Sequence, residues 1–76
     1  MEKVTQTELV PVESSNIAAV GYDGGTLTVA FQGRRIDRYE GVSAAVYHDL
    51  LDASSKARYR QRSIKGPYPV ERVEVD

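Results

Sequence analysis

The basic residues near the carboxyl end are the densest group of side chains that could do chemistry. Residues 54–65 (SSKARYRQRSIK) contain five basic residues and no acidic one, so this segment carries a charge of +5. In a helix, Arg58, Arg62 and Lys65 would follow one another at i, i+4 and i+7 along a single stripe. Like charges stacked in this way repel one another. The pattern therefore predicts a surface that is kept for binding a polyanion.

Tyrosine residues near these cations supply the second element of nucleic-acid recognition, because Arg and Lys contact phosphates while an aromatic ring stacks on a base. Tyr59 lies within the basic segment, and residues 34–38 (RRIDR) extend the positive charge. The alternative interpretation is a solvated helix face that Asp49, Asp52 or the acidic tail partly neutralises. The predicted nucleic-acid-binding residues are Lys56, Arg58, Tyr59, Arg60, Arg62, Lys65, Arg38 and Tyr39.

Other kinds of chemistry have little support in the sequence. It contains no cysteine and one histidine, and its acidic residues lack the spacing of a calcium-binding loop. His48 falls on the far side of a predicted helix from the apolar stripe, and turns or helix caps account for the serines. Residues 21–25 (GYDGG) lack the Lys-Ser/Thr of a phosphate-binding loop and precede a strand. We therefore predict a non-enzymatic domain without a metal or cofactor.

Three segments have the patterns of β-strands. Residues 17–22 (IAAVGY) are apolar on both faces, residues 26–31 (TLTVAF) alternate, and residues 34–39 (RRIDRY) read as a charged third strand. Residues 23–25 (DGG) form a hairpin turn between the first two. The sequence predicts a three-stranded antiparallel sheet and allows an extra edge strand at residues 9–12, where Pro11 excludes a central position.

Helical periodicity begins after residue 42, so the predicted fold class is α+β, with one or two helices packed on one sheet face. Val46, Tyr47, Leu50 and Leu51 form an apolar stripe behind a Ser43 N-cap. A second helix is predicted from the serine pair at 54–55 to about residue 65, where Gly-Pro ends it. In a regular helix Tyr59 and Ile64 point about 140° apart. Either this helix is irregular near Tyr59, or Tyr59 is a surface residue.

The length of 76 residues and the net charge of −1 fit one globular domain. We expect a flexible N-terminus at residues 1–8, a single domain at 9–68, and a tail at 69–76 that is coil with room for a short strand. The sequence has no apolar run that could span a bilayer and no signal-peptide pattern, which predicts a cytoplasmic protein. The predicted core is small, and self-association would supplement it. Its members are Val12, Ile17, Val20, Leu27, Val29, Phe31, Ile36, Tyr39, Val42, Val46, Tyr47, Leu50, Leu51 and Ile64.

Several runs in the order in which they occur resemble the KTSC domain family over about residues 10–68. These runs are VxSSNI at 12–17, VGYD at 20–23, LxVxF at 27–31, the apolar helix positions 42, 46–47 and 50–51, ASSK at 53–56, and Tyr59. The family is named after the carboxyl end of some lysyl-tRNA synthetases and also occurs as a small separate protein in bacteria and phages. The resemblance implies RNA binding, which has been suggested for the family.

The chain departs from the family pattern at four positions. A central Tyr-x-Tyr is Asp37-Arg38-Tyr39 here, and Ser43 replaces the proline that commonly opens the helix. Ala57 and Arg60 replace the glycine and the second aromatic residue of a Gly-x-Tyr-Phe stretch. The Arg60 change adds charge to the basic segment and removes apolar bulk from the predicted core.

The sequence therefore favours a small non-enzymatic module that binds RNA through a basic C-terminal helix. Two alternatives remain open. One is a protein-interaction domain, a bacterial or phage accessory factor that pairs with itself or with a host protein, in which the basic helix docks on acidic residues such as those of the tail. The other is a pocket for a small anionic nucleotide.

Overall fold

A computed structural model describes residues 9–33 and 35–74, with the backbone alone for Glu74. The predicted flexible N-terminus at residues 1–8 and the strand position Arg34 lie outside the described residues. The elements in chain order are β1 (Val10–Pro11), β2 (Ile17–Asp23), β3 (Thr26–Phe31), β4 (Arg35–Tyr39), α1 (Ala44–Asp52), α2 (Lys56–Tyr59), a π-helical turn (Arg60–Ile64) that continues α2, and β5 (Val70–Glu74).

The five strands form one antiparallel sheet in which the spatial order follows the chain order. The prediction of three strands is therefore wrong, whereas the α+β class is confirmed. β1 occupies the position at which the sequence allowed an edge strand. The fifth strand comes from the tail and pairs with β4 over its whole length, so residues 70–74 belong to the sheet rather than to a coil.

The predicted turn between the first two long strands is present. Gly24 and Gly25 adopt positive φ values of 57° and 89°, which glycine reaches without steric cost and which match the twist of a tight hairpin. The alternation of β3 then places Leu27, Val29 and Phe31 in the interior. These three residues form the centre of the sheet face that the helices cover.

The core lies between this sheet face and the helices. All the buried apolar residues of the described chain belong to the predicted core: Ile17, Val20, Leu27, Val29, Phe31, Tyr39, Val42, Leu50 and Ile64. Val12, Val46, Tyr47 and Leu51 pack against them at partial burial. Ile36 is half-buried and lies on the opposite sheet face, since it alternates along β4 with the buried Asp37 and Tyr39.

The first helix forms as predicted. Ser43 caps α1, because its Oγ accepts a hydrogen bond from the Val46 backbone N at 3.4 Å. The α1 helix has nine residues, and Leu50 on its inner side is fully buried. A bilayer crossing needs about 20 apolar residues, and no helix in the described part of the chain has that length and hydropathy.

The second helix is irregular, which is the first of the two alternatives that the spacing of Tyr59 and Ile64 left open. Its last turn is π-helical, and the Lys65 backbone N donates to the Arg60 carbonyl at 2.8 Å, five residues back. Wider turns of this kind change the rotation per residue. As a result Arg60 and Ile64 both point inward, with exposed fractions of 5% and 0%. Tyr59 is half-buried and packs against the edge of the core.

Candidate functional site

A groove with a volume of about 470 Å³ lies where α1 passes into α2 and along the outer side of the π-helical turn. We call it the arginine groove. The residues that line it are Ala53, Ser54, Ser55, Arg58, Tyr59, Arg62 and Ser63. The groove therefore combines two guanidinium groups, three serine hydroxyl groups and the ring of one tyrosine, all from the predicted basic segment at residues 54–65.

Local hydrogen bonds fix the backbone of the arginine groove. Ser55 caps α2, and its Oγ accepts a hydrogen bond from the Arg58 backbone N at 3.3 Å. Lys56 Nζ donates to the Ala53 carbonyl at 3.0 Å, which satisfies an acceptor at the end of α1 and offsets the negative end of that helix. Lys56 thus stabilises the connection between α1 and α2 and does not add a free charge to the groove.

Arg58 and Arg62 are both exposed and lie one turn apart on the same side of the helical segment. Neither arginine forms an ion pair with a side chain in residues 9–33 or 35–73. Both guanidinium groups are consequently available to an anion that enters the groove, and they are close enough together to act on one ligand.

Tyr59 contributes the aromatic wall of the groove. Burial raises the pKa of the Tyr59 hydroxyl above its ordinary value of 10.0; the negative charge of Asp49 and the neighbouring Tyr68 act in the same direction, while a hydrogen bond with Ser63 opposes them. The phenol is therefore neutral at physiological pH. The half-buried Tyr59 both packs against the core and lines the groove, so it presents a neutral aromatic surface to a ligand there.

Two predicted site residues, Lys65 and Arg38, lie outside the groove lining. Lys65 is exposed just beyond the π-helical turn, where its backbone forms an isolated parallel β-bridge with Tyr68. Arg38 lies on the sheet face that the helices leave uncovered, and its Nη1 is 3.5 Å from Glu71 Oε1. Strand alternation separates Arg38 from the groove, so the structure does not support its inclusion in the same surface.

Two other predicted site residues, Tyr39 and Arg60, are in the interior. Tyr39 is 1% exposed because β4 directs it toward the helices, and Arg60 is 5% exposed because the π-helical turn rotates it inward. Arg60 Nη1 donates to Tyr39 Oη at 2.8 Å. Tyr39 therefore cannot stack on a base, and Arg60 cannot reach a phosphate at the surface.

Sequence reasoning missed the polar cluster to which these two residues belong. We call it the Asp37 cluster; its members are Arg35, Asp37, Tyr39, Arg60 and Arg72. The Asp37 carboxylate has no exposed surface and accepts hydrogen bonds at 3.2 Å from Tyr39 Oη and from Arg72 Nε. Burial raises the pKa of the Tyr39 hydroxyl above 10.0, and the hydrogen bond and charge of Arg60 partly counteract that rise.

One signal for this cluster was present in the sequence. Arg35, Asp37 and Tyr39 alternate along one strand, so a buried Tyr39 implies that Asp37 is buried as well. Two of the four departures from the family pattern, Asp37 and Arg60, both contact the same hydroxyl group in the structure. Both side chains that contact the buried Tyr39 hydroxyl are therefore charged in this protein.

The other residues that were considered for catalysis or metal binding form local structural contacts. His48 is exposed on α1 and its ring lies 5.8 Å from that of Tyr47. Ser14 Oγ accepts hydrogen bonds at 3.2 Å from the backbone N of Asn16 and of Ile17 at the start of β2. Over the described ranges, no group of three or more His, Cys, Asp or Glu residues has the arrangement of a metal site.

Comparisons with known proteins agree with this architecture. A family model for the KTSC domain matches residues 13–68. A crystal structure of a KTSC domain protein from Yersinia pestis is similar, with a TM-score of 0.83 and 28% sequence identity over 90% of this chain and 99% of that chain. The comparison with curated proteins finds no similar sequence.

Proposed function

The chain belongs to the KTSC domain family, and we propose that it is a non-enzymatic module that binds single-stranded RNA in the arginine groove. The observation that carries this proposal is the juxtaposition of two exposed arginines, Arg58 and Arg62, with the ring of Tyr59 in one concave site. Each part corresponds to one part of a nucleotide: the guanidinium groups to the phosphate and the ring to the base.

The arginines supply the phosphate contacts. A guanidinium group presents its donors in a planar fork that matches phosphate oxygens in a bidentate geometry. The hydroxyl group of Ser54 lines the same groove and adds a neutral donor of the kind that contacts the nucleic-acid backbone. A chain with a net charge of −1 does not attract polyanions as a whole. Binding must therefore come from this local surface.

The tyrosine and the volume of the groove favour an unpaired base. A volume of about 470 Å³ is within the roughly 300–1,000 Å³ of typical small-ligand sites, and so it suits one nucleotide rather than a duplex. A base reaches the ring of Tyr59 only when it is unstacked from a helix, which is how sequence-selective RNA modules receive single strands.

The same volume favours a second candidate function, which is the binding of a small anionic nucleotide. A free nucleotide would use the same arginines and the same ring, but it would gain nothing from neighbouring phosphates. Thermal-shift measurements with the common nucleotides separate the two. A rise in the midpoint comparable to that produced by an oligonucleotide supports the small ligand, whereas an unmoved midpoint beside clear RNA binding supports the polymer.

A partner protein or a second copy of the chain is the remaining alternative. In this proposal the basic helix docks on acidic residues, but Glu71 already pairs with Arg38 within the same chain and β5 is fixed in the sheet. Light scattering at high micromolar concentration tests self-association. A dimer that dissociates on addition of salt would favour this alternative over RNA binding.

The direct test is fluorescence anisotropy with a short labelled single-stranded RNA at low salt. We expect Arg62→Gln to weaken binding about 10- to 150-fold, because a hydrogen bond to a charged group contributes about 1.5–3 kcal/mol. Tyr59→Leu should weaken binding about 5- to 100-fold, because stacking contributes about 1–3 kcal/mol per base.

The matched control is Arg38→Gln, which removes the same charge from the opposite sheet face. It should leave the affinity within about twofold of the wild-type value, since rim charges remote from the contact act only through the general field. Equal losses in Arg62→Gln and Arg38→Gln would show that net charge alone governs binding, and would contradict a site in the groove.

A further inference from the structure

The Asp37 cluster contains more positive charge than its single carboxylate balances. Arg72 Nε and Arg35 Nε lie 3.2 Å and 3.5 Å from the same oxygen, Asp37 Oδ1. Arg60 reaches the other oxygen through the Tyr39 hydroxyl. Among the side chains of residues 9–33 and 35–73, three guanidinium groups therefore share one carboxylate, which is an excess charge of +2 before the charge of Glu74, the register partner of Arg35 on β5, is counted.

Two of these arginines extend from the cluster to the surface. The side chains of Arg35 and Arg72 are 37% and 52% exposed, although the carboxylate between them is fully buried. Both contact Asp37 through Nε, so the contact with Asp37 does not use the terminal amino groups of either fork. A guanidinium group has five donors. The two side chains thus extend from one buried carboxylate to the solvent boundary with donors that Asp37 does not use.

The third arginine makes the excess charge costly. Arg60 is only 5% exposed, and its Nε has no hydrogen-bond acceptor within residues 9–33 and 35–73. The same is true of Arg35 Nε. The Phe31 ring lies close to both, with its centroid 4.2 Å from Arg35 Cζ and 4.9 Å from Arg60 Cζ. Contact with an aromatic face offsets part of the cost of burying these charges, but it does not replace a counter-ion.

We propose that Arg35 and Arg72 form a second anion site, distinct from the arginine groove, that binds a phosphate monoester or inorganic phosphate. A phosphate monoester carries close to two negative charges near neutral pH, opposite in sign to the excess charge of the arginines in the cluster. Its oxygens accept bidentate hydrogen bonds from guanidinium forks. Bound there, it neutralises the surface pair directly and the buried Arg60 through the low-dielectric interior.

Strand pairing holds the site in place. Arg72 on β5 is the register partner of Asp37 on β4, and Arg35 lies two residues before Asp37 on the same strand face. The two arginines therefore have fixed backbones, and the buried carboxylate orients both side chains. This arrangement reduces the entropy that is lost when the anion binds.

Isothermal titration calorimetry with inorganic phosphate, at constant ionic strength set by chloride, tests the proposal. The wild-type protein should bind one phosphate per chain. Arg72→Gln should weaken binding at least tenfold, and Arg72→Lys, which keeps the charge but loses the fork, should give an intermediate value. The matched control Arg38→Gln, on the opposite sheet face and outside both sites, should stay within twofold of the wild type, and Arg62→Gln is measured beside it to report phosphate binding in the arginine groove. Circular dichroism confirms that each variant is folded, and Arg35→Gln replaces Arg72→Gln if the latter is not.

The outcomes separate this site from the groove and identify the source of the phosphate. No saturable binding by the wild type, or binding lost in Arg62→Gln and kept in Arg72→Gln, overturns the proposal. If adenosine monophosphate binds and its binding depends on Arg72 in the same way, the ligand is the terminal phosphate of a nucleotide or of RNA. Inorganic phosphate binding without monophosphate binding supports the free ion. RNA binding in the groove can fail without affecting either result.

Discussion

The Asp37 cluster gives the sharpest prediction about stability, through the substitution Asp37→Asn. The carboxylate is fully buried and accepts two hydrogen bonds, one of them from a guanidinium group. The Tyr39 hydroxyl accepts from Arg60 and so directs its own hydrogen toward Asp37. An asparagine side chain keeps the shape but removes the charge, and whichever way its amide is oriented, it cannot accept both bonds.

The expected cost follows from these contacts. Breaking a buried ion pair costs about 3–5 kcal/mol, and the half-exposed Arg72 recovers some of this by hydration. We therefore expect Asp37→Asn to lower the free energy of unfolding by about 3 kcal/mol. A domain of 76 residues has about 4–11 kcal/mol in total. A loss of this size lowers the midpoint of thermal unfolding by about 12–24 °C.

Urea denaturation followed by circular dichroism measures this loss, and Arg60→Met is the matched comparison. Methionine fills the volume beside Phe31 and makes a favourable sulfur–aromatic contact. It also removes a buried charge while the Tyr39 hydroxyl still donates to Asp37. We expect Arg60→Met to cost less than about 1 kcal/mol, since apolar replacement of a buried ionic group is often neutral. A loss below about 0.5 kcal/mol for Asp37→Asn, or a larger loss for Arg60→Met, would refute this reasoning.

Two further predictions concern pH and helix capping. The raised pKa of Tyr39 means that the unfolded chain loses its phenolic proton first, so the contribution of this group to stability is complete below pH 10 and declines as pH rises through the folded-state pKa. Alkaline titration of the free energy of unfolding should show a shallower decline in Tyr39→Phe than in the wild type, and equal slopes would contradict the assignment. Ser55→Ala should lower the free energy of unfolding by about 0.5–2 kcal/mol through loss of the α2 cap. Ser54→Ala, at the adjacent non-capping position, serves as the control in the same denaturation assay and should change it by less than about 0.5 kcal/mol.

The sequence was sufficient to predict elements that depend on local interactions. The Asp-Gly-Gly turn, the alternation of β3 and the Ser43-capped α1 each rest on residues a few positions apart, and all three are present. The apolar residues that recur with the strand period and with the helix period also identified the core. The match arises because local preference and tertiary burial favour the same conformation in these segments.

Elements that depend on distant partners were harder to predict. β5 contains charged residues with a weak alternation, and it is stabilised by pairing with β4 about 35 residues earlier. The inward position of Arg60 requires a π-helical turn, which a rotation of 100° per residue does not anticipate. Asp37 is buried because partners from β4, β5 and the second helix converge on it or on Tyr39, and none of these contacts is visible from local sequence patterns.

For the candidate site, the basic segment was identified as a whole, but its members have different roles. Arg58, Tyr59 and Arg62 line the groove, Lys56 caps α1, and Arg60 is in the core. The number of basic residues can be counted from the sequence, whereas the helix geometry determines which of them reach solvent. A count of basic residues therefore overestimates the charge that a ligand would meet.

The salt dependence of RNA binding tests the central claim most directly. For single strands, the logarithm of the binding constant falls with the logarithm of salt concentration by about 0.7 for each phosphate that the protein neutralises. The double variant Arg58→Gln/Arg62→Gln should therefore bind more weakly and have a slope about 1.4 smaller in magnitude than the wild type, while Arg38→Gln keeps the wild-type slope. Equal slopes for the wild type and the double variant would show that these arginines do not contact phosphates, and would contradict the proposed function.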